Sequence, residues 1–420
     1  MKKIMISFFI LLAAAAPLIS QNNSSTFRVV LQPAANAKIS VNGEKINFRI
    51  VKKDNTMAEI TFNYKLDTAV FDFTCAGYSA GKFRLQSGKT DYVILNKENS
   101  DYRFLSYFKT GIQPKSVTFI NNDMVSLPLL DDDHIDVINI KTGERSELSL
   151  PPAYAEKKGF VESLVLKKKN ELWISQMTTG SAHVFDLTTL KYKKTVDTNA
   201  KWSKVLAYNP SMNRVFLTNW ESHDISVINP DTYSEEYTIQ CFGVPRGIVF
   251  SEDNKFAYVC QYYAVVNNKE TKGEILKIDL STNKVVKKFG VPGSQRHMVI
   301  IPQKNYLVVS DMGRRTVNIY DLKTDSRIRE IAVFNNPNTI AVSPDSNYLY
   351  VSCRGPNNPE SYLKKGFVMG RIYVIDMNTL KLKEIVEGGN QCTGLDVSPD
   401  GRKFVFSDFL DDAIRVYEMK

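Results

Sequence analysis

One phrase recurs seven times between Pro114 and the C-terminus: a short apolar strand, a turn, a second apolar strand, a polar gap, and a third strand ending in an acidic or amide residue. The seventh copy stops before its outer strand. Such a row with an unfinished last member predicts a ring that must close on itself, a β-propeller. The sixth copy shows the pattern best. Thr339, Ile340, Ala341 and Val342 are followed by Ser343, Pro344 and Asp345, then by Tyr348, Leu349, Tyr350, Val351 and Ser352, and after a gap by Arg371, Ile372, Tyr373, Val374, Ile375 and Asp376. Period-2 alternation marks strands, and Ser-Pro-Asp supplies the turn between them.

The residue closing each third strand is Asn139, Asp186, Asn229, Asp279, Asp321, Asp376 and Glu418, at spacings of 47, 43, 50, 42, 55 and 42. A period in the forties with four strands per unit fits propeller blades, and the variation falls in one loop type. The missing outer strand of the last copy has a candidate upstream. Tyr102–Lys109, before Gly111, resembles the outer strand of the sixth copy, before Gly388. Without it the last blade would present an open edge. Its ladder bonds and two buried aromatics make closure worth several kcal/mol, on the order of half a domain's stability.

The first 20 residues read as an export leader, with Lys2 and Lys3 ahead of an apolar run over 4–16 and small residues at Ala14, Ala16 and Ser20. The run is short for a membrane span and no second candidate stands further along. The first cysteine is Cys75, so no lipid-anchor cysteine stands near the cleavage region. The expected location is periplasm, medium or cell surface. The formal charge of +9 is a mild excess over this length and is compatible with an ordinary basic surface. Five widely spaced cysteines form no CxxC pair and no disulfide framework; one bridge is compatible with export, but spacing does not pair them.

Residues from about 26 to 98 also alternate in period 2, with Asn42-Gly43 as a hairpin signal. Two catalytic lookalikes lie here. Gly77-Tyr78-Ser79-Ala80-Gly81 has the nucleophile-elbow spacing, but Lys82-Phe83-Arg84-Leu85 behind it reads as a strand rather than the helix such an elbow needs. Ser87-Gly88-Lys89-Thr90 ends like a phosphate loop, but Phe83 stands where its first glycine belongs. The run from Ala37 to Gly43, with Cys75-Ala76-Gly77-Tyr78 and Tyr92-Val93-Ile94-Leu95, resembles the PEGA domain, a small sandwich of bacterial envelope proteins. That resemblance implies an adaptor role at the envelope.

Phe216-Leu217-Thr218-Asn219, Tyr258-Val259-Cys260-Gln261 and Tyr350-Val351-Ser352-Cys353 are each followed by a phrase such as Ile225-Ser226-Val227-Ile228-Asn229. In these the chain resembles the YVTN-repeat (YncE-like) β-propellers. The resemblance spans about residues 102–420 and implies a seven-bladed, usually exported propeller without a fixed reaction. The expected fold is therefore all-β: a leader over 1–20, a small PEGA-like β-sandwich domain over 24–100, and a seven-bladed β-propeller over 101–420 closed by the strand at 102–109.

Function is expected on the face where loops vary. The residues just before each inner strand read Lys115, Glu162, Lys204, Arg246, His297, Asn338 and Thr393, all polar. With Asp311 at the end of a second strand, Lys115, Lys204, Arg246, His297 and Asn338 form the expected ligand seat at the channel mouth, suited to an anionic group. The longest insertions, 262–274 and 354–370, flank a short loop carrying Arg314 and Arg315. Tyr262, Tyr263, Arg314, Arg315, Arg354, Tyr362 and Phe367 are the expected partner-binding residues, basic groups interleaved with aromatics. The four histidines show no metal-pair spacing, and no catalytic triad or carboxylate pair stands out. The first expectation is thus a non-enzymatic binding or scaffold protein, monomeric, without cofactor or metal, whose partner is an envelope or extracellular protein, peptide or polymer. Two others remain open: a periplasmic propeller enzyme (a lactonase-like hydrolase or a cofactor-dependent oxidoreductase) using His297, Arg246 and Asp311, and a single-stranded nucleic-acid binder.

Overall fold

Each repeat folds into one four-stranded antiparallel sheet, and seven such sheets follow one another along the chain. This is a computed structural model, and it describes residues 24–33, 36–53, 56–267 and 269–420; the expected leader lies outside them. The first strands of blades one to seven are Thr118–Phe119, Phe160–Leu166, Ser203–Asn209, Gly243–Phe250, Gln295–Ile301, Pro337–Val342 and Cys392–Val397. Each packs against the next, and that of blade seven packs against that of blade one, so the seven enclose a central channel.

The acidic or amide residue ending each third strand has a local cause. Asp186, Asp321 and Asp376 each accept two backbone N–H groups from the following turn, as do Asn139 and Asn229. A side chain that bonds its own backbone two residues on ends the strand and sets the hairpin.

Six inner strands share a register shift at one place. It falls between Phe160 and Ser163, Ser203 and Leu206, Pro245 and Ile248, Gln295 and His297, Pro337 and Ile340, and Cys392 and Leu395. Each is a β-bulge that turns one residue out of the ladder toward the channel. A buried hydroxyl on the second strand holds it. Ser352 Oγ accepts from the Thr339 N–H of its own bulge (3.1 Å) and donates to the Thr393 carbonyl of the next blade (2.8 Å). Thr218 does the same between Val205 N–H and the Arg246 carbonyl, and Ser310 between His297 N–H and the Asn338 carbonyl. In blade four the position is Cys260, whose Sγ accepts from Gly247 N–H (3.1 Å). A Cβ on Gly247 would stand 3.1 Å from both that sulfur and the His297 Cα, so glycine lets blades four and five approach.

Tyr102–Lys109 pairs antiparallel with Ala413–Met419 as the fourth strand of the last sheet. Tyr102 is buried edge-on against Phe404 and Tyr350, and Phe104 packs edge-on against Tyr417. The residues ahead of it form two facing four-stranded sheets. One contains Ser25–Gln32 between Ala58–Tyr64 and Thr90–Ile94; the other contains Thr68–Cys75 and Tyr78–Gln86. Phe27, Phe62, Phe71 and Phe73 fill the space between them. Ser79 lies on a strand with no helix behind it, which removes the elbow geometry. Among the described residues no helix is long and apolar enough to cross a membrane.

Candidate functional site

The bulges decide which side chains reach the channel mouth. The residue just after the last paired position above the shift is Val161, Lys204, Arg246, Arg296, Asn338 and Thr393 in blades two to seven. Three successive blades thus place Lys204, Arg246 and Arg296 in equivalent slots. Lys115 joins them from blade one, its N–H held by the Pro128 carbonyl (2.8 Å). Arg354, just beyond the second strand of blade six, completes the group. Arg246 and Arg354 are 6 % exposed, Lys204 and Arg296 7 %.

These five cations act on one another. Burial, then the charges of Arg354, Arg296, Arg246 and Lys204, hold the Lys115 ammonium well below the usual lysine range. Lys204 is lowered likewise by burial and by Arg246 and Arg296. Arg296 is lowered by burial, Arg246 and Arg354. None of the five forms an ion pair with a carboxylate among the described residues. The acid that faces them is Glu162, which burial raises to about 7 against the pull of Arg246.

Neutral groups orient the cations instead. Arg296 Nε donates to Asn338 Oδ1, and Arg354 Nη2 donates to Gln391 Oε1. Lys204 Nζ sits over the rings of Trp202 (4.9 Å) and Trp220 (5.6 Å), Arg246 over Trp220 (5.9 Å), and Lys115 over Phe409 (4.7 Å). Arg354 lies between Tyr362 and Phe409. Ring faces stabilise a desolvated cation by about 2 kcal/mol without neutralising it. Arg246 Nη1, Arg354 Nε and Asn338 Nδ2 are buried donors with no acceptor. Buried charges are ordinarily paired, and an unpaired donor costs about 1–3 kcal/mol. Among the described residues these donors lack the partners that buried polar groups ordinarily have.

The other expected residues fall elsewhere. His297 lies one position beyond the slot that Arg296 fills; its Nδ1 accepts from the Ile340 N–H (3.4 Å), and burial with Arg246 and Arg296 nearby lowers its pKa to about 4. It carries no charge at neutral pH. Asp311 Oδ1 accepts from Ser294 N–H and Arg314 N–H, so it latches the top of its own blade. Gln176, Asn219, Gln261 and Asp408 hold equivalent positions and close equivalent loops. Asn338 stays in the seat as the partner of Arg296. Arg354 moves from the loop group into the seat. Tyr262 packs on Trp220 (4.9 Å) and Tyr263 beside it (6.4 Å), forming a rim with the exposed Trp202. Tyr362 and Phe367 are exposed on the blade-six insertion. Arg314 pairs with Glu330, Lys364 with Glu360, and Lys365 with Asp411, so much of the outer basic charge is neutralised in place; Arg315 is exposed. Sequence reasoning misses Arg296, the rings of Trp202, Trp220 and Phe409, and Gln391.

A second cluster, on blade one, gathers Asp132, Asp133, His134, Asp136 and Glu147. His134 lies between Asp133 (2.9 Å) and Asp136 (3.3 Å), and Arg145 Nε donates to Asp136 (2.8 Å). Hydrogen bonds to Asp136 and Asp133 raise the imidazole to about 9, so the cluster supplies its own cations.

Fold and site together define an all-β propeller protein with a small β-sandwich ahead of the ring. The chain is 43% identical over 406 residues to Antigen Lp49 of Leptospira interrogans serogroup Icterohaemorrhagiae serovar copenhageni (strain Fiocruz L1-130), covering 94% of this chain and 89% of that protein. It belongs to the Antigen Lp49 family. Kuenenia stuttgartiensis Hydrazine Synthase shares the fold with a TM-score of 0.60 at 16% identity, over 73% of this chain and 96% of that one. No protein-family model matches the chain.

Proposed function

We propose that this protein is exported and binds rather than transforms its ligand, with the channel mouth of the propeller as the seat for an anionic group of a protein, peptide or polymer partner. The observation that carries this is the convergence of five cations, from blades one, three, four, five and six, with no carboxylate among the described residues paired to any of them. The aromatic rim of Trp202, Trp220, Tyr262 and Tyr362 offers the flat, amphipathic surface that binding hot spots favour. The sequence of the first 20 residues supports export, and the relative's designation as an antigen agrees with exposure outside the cell. Division into a sandwich domain and a ring domain, and kinship of the ring with YVTN-repeat propellers, are part of the same reading.

The enzyme reading has less to stand on. His297 Nδ1 and Asp311 Oδ1 are engaged by backbone N–H groups, and the Cys260 thiol beside Arg246 accepts from the Gly247 N–H and is raised by burial to about 12. Nucleic-acid binding would draw on the outer loops, where lysine and arginine already face Glu330, Glu360 and Asp411.

The test is capture from envelope and medium fractions on immobilised protein, comparing wild type with an Arg246→Met, Arg354→Gln double variant. The expected result is a bound species that the double variant loses. A bound set identical for the two proteins would remove the channel mouth from the binding surface.

A further inference from the structure

The seat itself restricts what can enter it. This inference rests on the proposed function above and names the chemistry of the ligand. Lys204, Arg246 and Arg296 project from inner strands that wall the channel, Lys115 precedes the inner strand of blade one and Arg354 follows the second strand of blade six, and four of the five are less than one-tenth exposed. Whatever meets them must be small enough to pass the aromatic rim. Five basic groups face one acid, Glu162, and burial together with their mutual repulsion lowers Lys115, Lys204 and Arg296. A monoanion would leave most of that repulsion in place. Three of the five are guanidinium groups, whose planar forks match pairs of oxygens on carboxylate, phosphate or sulfate. Two of those forks are held in place by Asn338 and Gln391, and the free donors Arg246 Nη1 and Arg354 Nε remain for a ligand.

We propose that the channel mouth binds a compact oxyanion carrying two or more negative charges, gripped by Arg246, Arg296 and Arg354 and charge-balanced by Lys115 and Lys204. The oxyanion is either a free ion or the anionic end of a larger molecule lying on the Trp202, Trp220 and Tyr262 rim.

Calorimetry and thermal melting of the full-length mature protein, at constant ionic strength, decide the matter. The probes are sulfate, pyrophosphate and acetate. Sulfate and pyrophosphate are expected to bind and to raise the melting midpoint, with pyrophosphate at least about tenfold tighter than acetate. Arg246→Met and Lys204→Met are each expected to weaken pyrophosphate by roughly tenfold to a hundredfold. Lys82→Met, on the N-terminal sheets beside Asp72, is expected to leave it unchanged. Neither seat variant depends on the wild-type charge for folding, because each removes a buried like charge. Glucose 6-phosphate against inorganic phosphate separates the sources: a tighter sugar phosphate identifies the end of a larger molecule, and equal affinities identify a free ion. The proposal is overturned if divalent anions bind no tighter than acetate, or if Arg246→Met leaves pyrophosphate affinity intact. Should pyrophosphate fail while captured material still disappears in the double variant, the binding role stands and only the ligand class falls.

Discussion

Glu162 gives the seat a proton-linked term. Lys115, Arg246 and Asp396 face it, and burial raises its pKa from 4.5 to about 7. Between those values the folded protein keeps a proton that the unfolded chain has released. Its contribution to stability is therefore full below about 4.5 and is lost as pH rises through about 7. For an incoming anion the sign is the same, since an ionised Glu162 repels it. Sulfate keeps its charge over this range, so its affinity reports the protein alone. It is expected to bind roughly three- to tenfold tighter at pH 6 than at pH 8, measured by calorimetry. Glu162→Gln should flatten that profile, and a slope that persists in this variant would assign the proton elsewhere. Removal of one cation has the opposite consequence for the empty protein. Arg246→Met relieves repulsion among buried charges and is expected to raise unliganded stability by about 1 kcal/mol or more, read from chemical denaturation at low salt. A loss of stability instead would mean that Arg246 is paired in solution. The seat was partly legible for a related reason. Lys115, Lys204 and Arg246 precede apolar strands and announce themselves, but in blade five His297 stands where blades three and four have Val205 and Gly247, so the apolar run starts one residue late. Counting from the strand pattern lands on His297, while the ladder puts Arg296 there.

Strands and turns were readable because period-2 apolar runs and Asx turns are local signals. The hydroxyl that joins one blade to the next is local in sequence but not in effect. Ser352 looks like an ordinary strand residue, and only packing shows that it bridges Thr339 and Thr393 across a blade boundary. Likewise Asp311 reads as a channel residue until its bonds to Ser294 and Arg314 make it a loop latch. Since the bridge positions the bulge, its loss should reach the seat. Ser352→Ala strands a buried N–H and a carbonyl together, and is expected to cost about 1–3 kcal/mol in urea denaturation. Ser352→Thr keeps the hydroxyl, as Thr218 does in blade three, and should recover most of it. Equal losses in the two variants would point to volume rather than hydrogen bonding as the cause.

At the scale of the whole molecule the ring is sealed twice. Tyr102–Lys109 completes the last sheet, and Arg415 on the neighbouring strand reaches past it, donating through Nε to Asp408 (2.5 Å) and through Nη1 to Gln32 Oε1 of the N-terminal sheet (2.5 Å). Tyr92 of that sheet stacks on Tyr107 of the closing strand at 3.9 Å. The need for a closing strand was legible in the truncated last repeat; the tie to the preceding sheets was not, because Gln32 and Arg415 are 383 residues apart and neither stands in a motif. Arg415 and Asp408 are 1% and 0% exposed, so removing one partner leaves a charge without water or counterion. Arg415→Met is expected to lose about 3–5 kcal/mol, seen as a lower urea midpoint. The Asp408→Asn, Arg415→Met double variant removes both charges and keeps an amide oxygen for the Gly389 N–H that Asp408 now holds (2.7 Å). It should therefore recover most of that loss, because the penalty lies in the orphaned carboxylate rather than in the missing contact. If the double variant unfolds as early as Arg415→Met, the reach to Gln32 carries the stability, and the N-terminal sheets act as the clasp of the ring.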